Sequence, residues 1–159
     1  MRKRTTLTRS RKLHLATSTR HHNLKELTEK QLIDILPTDS ATVDEASKLY
    51  DLACIMFKIP SFLKHSIAEG WTTPSNVEVN GKLAYLICYH LSVDGGLFVD
   101  ACVSLDKHTR FEMAFAAAEI IARTNKAKYI RFLTLRQGIT ISAQRQGFIP
   151  EAVCMVKHL

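Results

Sequence analysis

Leu83-Ala-Tyr-Leu-Ile-Cys-Tyr-His-Leu91, Ser92-Val-Asp-Gly-Gly96 and Leu97-Phe-Val-Asp-Ala-Cys-Val-Ser-Leu105 follow one another without a break. The outer blocks are apolar and rich in strand formers, and the five-residue block between them is a turn cluster. The stretch therefore predicts an antiparallel hairpin. A strand with one wet face alternates polar and apolar residues. These two are almost continuously apolar, so their sheet is expected to be covered on both faces. Beyond Asp106-Lys-His108, the run Thr109-Arg-Phe-Glu-Met-Ala-Phe-Ala-Ala-Ala-Glu-Ile-Ile-Ala-Arg123 predicts a helix. Thr109 has N-cap chemistry and Glu112 stands at capping-box spacing from it. Phe111, Phe115, Ala118 and Ala122 make one apolar stripe.

Upstream, Leu32-Ile-Asp-Ile-Leu36 reads as a short strand ended by Pro37. From Thr42 to Phe57, the apolar residues Val43, Ala46, Leu49, Ala53 and Met56 recur near helical spacing. Pro60 opens a second helix, 61–69, which Gly70 stops, and 71–76 reads as a loop that packs over Trp71. Val77-Glu-Val79 is a strand, and Asn80-Gly81 is the signal of a type I′ turn. Downstream come a polar break at 125–128, a strand at 129–135, a short helix at 137–146 stopped by Gly147, and an apolar run at 152–156.

The chain has 159 residues, enough for one domain with a substantial core. No apolar stretch approaches the ~20 residues of a membrane span, and the basic N-terminus is not a secretory signal. Cys54, Cys88, Cys102 and Cys154 lie singly in apolar runs, without metal-binding spacing, as reduced buried thiols of an intracellular protein do. Charge is unevenly placed. Residues 1–30 hold nine Lys/Arg against two Glu, and residues 31–159 hold thirteen of each sign. We therefore divide the chain into a basic arm with a short linker, 1–30, and a charge-balanced domain, 31–159. The first 22 residues contain no acid and few apolar groups, so they are expected to be disordered unless a partner orders them.

The element order β-α-α-β-β-β-α-β-α-β over residues 32–159, with the phrases VEVNGKLAYLICYH and AQRQGFIP, resembles the GNAT-type N-acetyltransferase fold. That resemblance implies an α/β domain with a mixed central sheet flanked by helices. It also implies acetyl-CoA as cofactor, held by a glycine-containing loop between the fourth strand and the long helix. Unpaired N–H groups and the positive dipole end would face the pyrophosphate there. The matching positions are Lys107-His-Thr-Arg-Phe-Glu-Met-Ala114, so the implied cofactor-binding residues are His108, Thr109 and Arg110. Phe111 and Met113 stand where the family has glycine. The family's tyrosine, which protonates the departing thiolate, falls at Ala143, with Ser142 beside it.

Other catalytic chemistry is thinly represented. Glu78, Asp94 and Asp100 are the carboxylates available as a general base, and each reads more simply as a turn or surface group. His65, His90 and His158 stand alone in the sequence. No metal set is visible, and His21-His22 belongs to the arm.

The sequence thus favours a non-catalytic GNAT-like binding or assembly protein, without cofactor, that docks on nucleic acid or a nucleoprotein particle. Its phosphate contacts would be Arg2, Lys3, Arg4, Arg9, Arg11, Lys12 and Arg20. Degenerate members of the fold also resemble virion-associated proteins of tailed phages, which would place the chain in a virion or the host cytoplasm. The arm's Arg/Ser/Thr composition also fits a mitochondrial transit peptide, though its amphipathic face is poor. The alternative function is an acyl-CoA-dependent N-acetyltransferase with an atypical cofactor loop. No membrane association is expected.

The arm's chemistry makes one quantitative expectation. If about five of its first seven cations engage duplex DNA, log K should fall against log salt with a slope of about −4 to −5, at roughly −0.9 per phosphate. Removing residues 1–22 should flatten that slope in competition titrations. Binding unchanged by the truncation would place recognition elsewhere.

Overall fold

The computed structural model describes residues 31–53, 60–108, 110–134 and 136–151. Among them the elements are β1 (Ile33–Pro37), α1 (Ser40–Ala53), α2 (Phe62–Ala68), β2 (Thr73–Val79), β3 (Lys82–Leu91), β4 (Leu97–Ser104), α3 (Phe111–Thr124), β5 (Ile130–Phe132) and α4 (Gln137–Arg145). The strands form one sheet in chain order. β1 to β4 are antiparallel neighbours, and β5 runs parallel to β4 after the crossover through α3. The arm, the 54–59 stretch that closes the helix expected to reach Phe57, and the apolar run 152–156 lie outside the described residues.

The central hairpin forms as the composition requires. Leu91 pairs with Leu97 across the five-residue loop. Asn80 and Gly81 both take positive φ, 54° and 78°, which the type I′ turn between β2 and β3 demands. β2 begins at Thr73, inside the stretch expected to be a loop. Its Ser75 and Val77 turn inward at strand periodicity, and turn-forming Thr, Pro, Ser and Asn obscured that pattern. Pro74 lies just beyond the β1 ladder, which stops at Ser75, and an edge position is where a strand tolerates proline.

Both faces of the sheet are covered. α3 lays Met113, Ala114, Ala117, Ile121 and Ala122 against Val77, Tyr85, Ile87 and Leu97. On the opposite face Ala46 of α1 and Leu63 of α2 meet Leu86, Cys88, Ala101 and Val103. Alternate residues of β3 thus supply two separate cores. A fully buried Leu, Ile or Val contributes roughly 1.5–3 kcal/mol, so β3 anchors both layers. Two bulges interrupt the ladders. Val77 pairs with Tyr85 and Glu78 with Leu83, which makes Ala84 an inserted residue. Cys88 pairs with Ala101 and Tyr89 with Val99, which leaves Asp100 as the extra residue of β4.

The helix starts differ from the expected ones. Asp39 caps α1 by accepting the Thr42 N–H at 2.7 Å, so the helix begins at Ser40 instead of Thr42. α3 has Arg110 at its N-cap, without a side-chain cap bond, and Glu112 is the second helical residue. The capping-box register needs Glu112 third, so that expectation fails; Thr109 is outside the described residues. The Tyr85 hydroxyl, rising from the buried centre of β3, donates to the Arg110 carbonyl and ties this end of α3 to the sheet.

At the hairpin loop, Gly96 lies under the Tyr129 ring. A Cβ there would come 2.2 Å from Tyr129 Cε2. The adjoining backbone is fixed by Leu97 N–H to the Tyr129 carbonyl and Lys128 N–H to the Gly95 carbonyl, both 2.9 Å. Substitution G96A should therefore destabilise the domain by about 1–3 kcal/mol, the usual cost of overpacking. Denaturant midpoints would measure it, and a neutral result would mean that the ring moves freely aside.

Candidate active site where two strands part

β4 and β5 are paired at only three positions, Leu97 with Ile130, Phe98 with Arg131 and Val99 with Phe132. β4 continues to Ser104, whereas β5 ends at Phe132, although 129–135 reads as strand from composition alone. Beyond Val99, β4 has no β5 partner among the described residues. Asp100, the inserted residue of the bulge, is the first past the parting point.

That residue organises a hydrogen-bonded cluster. Asp100 accepts from the Thr72 hydroxyl at 2.6 Å, and both its oxygens lie within reach of His90 Nδ1, at 2.9 and 3.0 Å. The His90 ring stacks on Phe98, with centroids 5.2 Å apart and an interplanar angle of 20°. In the neutral ring, the tautomer that donates from Nδ1 to the carboxylate offers Nε2 as an acceptor. Strand alternation sets His90 on the same face as Leu86 and Cys88, the face covered by α1 and α2. Sequence spacing could not show this pairing, because His90 and Asp100 are ten residues apart and meet only across the bulged hairpin. His90 is therefore not isolated, and Asp100 is a surface carboxylate, as expected, that two side chains engage.

Neighbouring groups frame the cluster. Trp71, next to Thr72, is 59% exposed and meets His65 edge-on at 5.3 Å, so it does not pack beneath a loop as expected. Cys88, beneath the same face, has its thiol pushed up to about 12, first by burial and then by the Asp100 charge. Burial alone pushes Cys102 to about 12. Neither thiol is a nucleophile near neutral pH. The other carboxylates weighed from sequence fall elsewhere. Glu78 pairs with Asp34 across β1 and β2. Asp94 accepts the Gly96 N–H at 3.3 Å within the hairpin loop, and the Tyr129 hydroxyl beside it holds its carboxyl below the usual range.

The turn entering α3 holds two of the three expected cofactor-binding residues. His108 and Arg110 are exposed there, and Thr109 lies outside the described residues. Asp106 shapes the turn. Its Oδ1 accepts the His108 N–H at 3.0 Å, and its Oδ2 pairs with Lys82 Nζ at 3.0 Å. These contacts, with the His108 N–H first, lower its pKa. The bulky residues at the family's glycine positions are turned inward. Met113 is buried against β3, and half-buried Phe111 meets Phe115 at a tilt, with ring centroids 5.7 Å apart. Phe115 in turn meets Phe132 and Phe148, 5.7 and 5.3 Å away.

The Gly147-Phe148 ending of α4 has a local cause. Gly147 takes φ 90° and the Phe148 N–H closes on the Ala143 carbonyl at 3.1 Å, a left-handed helix stop that delivers Phe148 to the aromatic cluster. Ala143 itself is buried, so no phenol occupies this position. Among the described residues no group of three or more His, Cys, Asp or Glu is placed to hold a metal, and no helix is long and apolar enough to cross a membrane.

Similarity to solved structures extends over most of the chain. A possible acetyltransferase from Clostridium difficile superposes with a TM-score of 0.55 at 16% identity, over 80% of this chain and 97% of that one. Ribosomal-protein-alanine N-acetyltransferase from Brucella melitensis gives 0.54 at 15% identity, over 80% and 100%. AAC(6')-Iy, in complex with a bisubstrate CoA analogue, gives 0.52 at 12% identity, over 80% and 99%. No protein-family model and no curated protein matches the sequence. The domain has the GNAT-type N-acetyltransferase fold, with its mixed five-stranded sheet between helices.

The turn at Asp106 carries a pH dependence of fixed sign. Its folded pKa is depressed, so its contribution to stability is complete above the unfolded value of about 3.9 and is lost as pH falls through the folded value. D106N should lower the melting temperature at about pH 7, and the difference should shrink as pH falls below about 3.9. A constant difference between them at both pH values would show that the carboxylate charge is not the cause.

Proposed function

We propose that the chain is an acyl-CoA-dependent N-acyltransferase in which His90, oriented by Asp100 and Thr72, accepts the proton of the acceptor amine. One observation carries this reading: the hydrogen-bonded cluster sits at the residue where β4 leaves β5. Strands that part leave main-chain N–H and C=O groups without a ladder partner, and an extended amide chain such as the pantetheine arm is the right shape to use them. Its diphosphate end would reach the turn bearing His108 and Arg110 at the N-terminus of α3, where the helix dipole favours an anion. The thioester carbonyl would then lie in the opening, and the amine would approach from the face that carries His90.

Acyl-CoA, where bound, would supply a thioester carbon for the amine nitrogen to attack, with the CoA thiolate as the leaving group. The proton released from nitrogen passes to His90 Nε2, and Asp100 stabilises the resulting imidazolium. No α4 tyrosine serves the thiolate, which takes its proton from solvent. A non-catalytic reading looked stronger from the sequence because Phe111 and Met113 stand at the family's glycine positions, Ala143 stands at its tyrosine position, and no candidate base carries a motif. The Thr72–Asp100–His90 geometry and the inward turn of Phe111 and Met113 favour the acyltransferase. The basic arm remains our proposed contact with nucleic acid or a nucleoprotein, and is compatible with an acyltransferase domain.

Calorimetry with acetyl-CoA should show saturable one-site binding, and ligand at about a hundred times its Kd should add ~2.7 kcal/mol of stability. Across an amine panel followed by mass spectrometry, H90Q and D100N should each lower kcat/KM by about 10²–10⁴-fold, with acetyl-CoA affinity unchanged. Absence of acetyl-CoA binding would overturn the acyltransferase reading and restore the non-catalytic one. Binding with activity insensitive to H90Q would leave the enzyme and remove His90 from the chemistry.

A further inference from the structure

α2 ends in a turn that fixes one aromatic ring beside the hydrogen-bonded cluster. Gly70 takes φ 73°, and its N–H reaches the Ile67 carbonyl at 3.1 Å. The Trp71 N–H reaches the Ser66 carbonyl at 2.9 Å. This left-handed stop folds the chain back over the last helical turn and sets Trp71 against His65, with ring centroids 5.3 Å apart. An apolar residue after such a stop ordinarily packs on the helix it closes. Trp71 makes that contact and still leaves 59% of its surface open, so the packing role does not use most of the ring.

The open ring lies next to the proposed chemistry. Thr72, the following residue, donates to Asp100 at 2.6 Å, and Thr73 pairs with Tyr89, the neighbour of His90. Consecutive Cα atoms are about 3.8 Å apart, so the indole branches from the chain one residue before the cluster. Its contact with His65 of α2 puts it on the face that α2 covers, which is the face of His90. The charge of this segment has one sign. From His65 to Asn80 the chain carries Glu69 and Glu78 and no Lys or Arg. Glu78 lies at the far end of β2, whereas Glu69 stands two residues before Trp71. Glu69 is exposed and has no ion pair among the described residues, while nearby Lys64 is held by Asp44 at 2.6 Å.

We infer that Trp71 and Glu69 select the acceptor, and that it is an amine carrying a second, charged ammonium group, as a diamine does. This rests on the acyltransferase reading, which places the reacting nitrogen at His90. That nitrogen must be neutral to attack, but a second alkylamine, with a pKa of about 10, keeps its proton near pH 7. An indole face attracts an ammonium more strongly than any other aromatic side chain does. A carboxylate without a partner adds to that attraction. A monoamine forgoes both contacts once its only nitrogen is at His90. An acceptor with an anionic end meets Glu69 and Asp100 and is disfavoured, and an aromatic amine gains from the ring but not from Glu69.

Trp71 is the only tryptophan of the chain, so intrinsic emission reports on this ring alone. The full chain, with CoA present as a cofactor that has no acyl group to transfer, is titrated with putrescine, butylamine and phenethylamine. Putrescine should change the emission saturably, at a concentration about tenfold below the other two. E69Q should remove most of that advantage and leave butylamine unaffected. In acetyl transfer from acetyl-CoA, W71A should raise KM for putrescine about tenfold with kcat little changed, and should leave KM for butylamine as it was. Emission unmoved by putrescine, an equal response to butylamine, or tighter binding of phenethylamine would overturn the inference. So would a W71A variant that loses kcat equally for both amines, since the ring would then serve only to hold the turn. Acetylation without preference for putrescine would leave the acyltransferase standing and remove the diamine. A putrescine response weakened by E69Q in a chain that does not bind acetyl-CoA would do the reverse, leaving the cation site and removing the enzyme.

Discussion

Five successive residues of β3, Ala84 to Cys88, are each at most 2% exposed, and the two helical layers depend on them. A strand out of water on both faces must offer apolar side chains in both directions and pair its backbone on both edges. β2 and β4 do the pairing, α3 covers one face, and α1 and α2 cover the other. The Tyr85 hydroxyl is the one polar group carried into this region by that run, and the Arg110 carbonyl receives it. The position of α3's N-terminus, and with it the turn that bears His108, is thus set from inside the core.

With the core fixed, freedom is left only where the ladders are irregular. β4 meets β3 along its whole length and β5 for three residues, and the inserted Asp100 lies between the two regimes. A bulge bends its strand locally and re-aims side chains, while pairing resumes on either side. Here it lets a carboxylate reach Thr72 and His90 on one face while Leu97 and Val99 remain turned to the other. The chemistry we propose relies on this arrangement, and the arrangement relies on a single extra residue.

The fold was legible because its decisive stretch is long, apolar on both faces and punctuated by unambiguous turns. Asn80-Gly81 and Ser92–Gly96 fixed the β3 hairpins, and the alanine-rich run fixed α3. The site was much less legible. His90 and Asp100 carry no motif, and their meeting depends on a bulge that no local pattern announces. The family's glycine positions misled for a similar reason. Phe111 and Met113 read as obstacles on a list of residues, but side-chain direction on a helix buries Met113 in the core and lays half-buried Phe111 against Phe115. The start of β2 was hidden by polar turn formers that the burial of Ser75 overrides.

The bulge also bears on how such a site can be lost. Deleting Asp100 would heal the ladder and leave the other side chains of β4 in their present layers, because Leu97 and Val99 face α3 while Ala101 and Val103 face α1 and α2, as an uninterrupted strand requires. Replacing the side chain at that position likewise leaves both cores intact. Descendants of this chain that gave up the chemistry would therefore be expected to lose the extra residue or to change its identity. Position 100, by its presence as much as by its side chain, would show which lineages still use it.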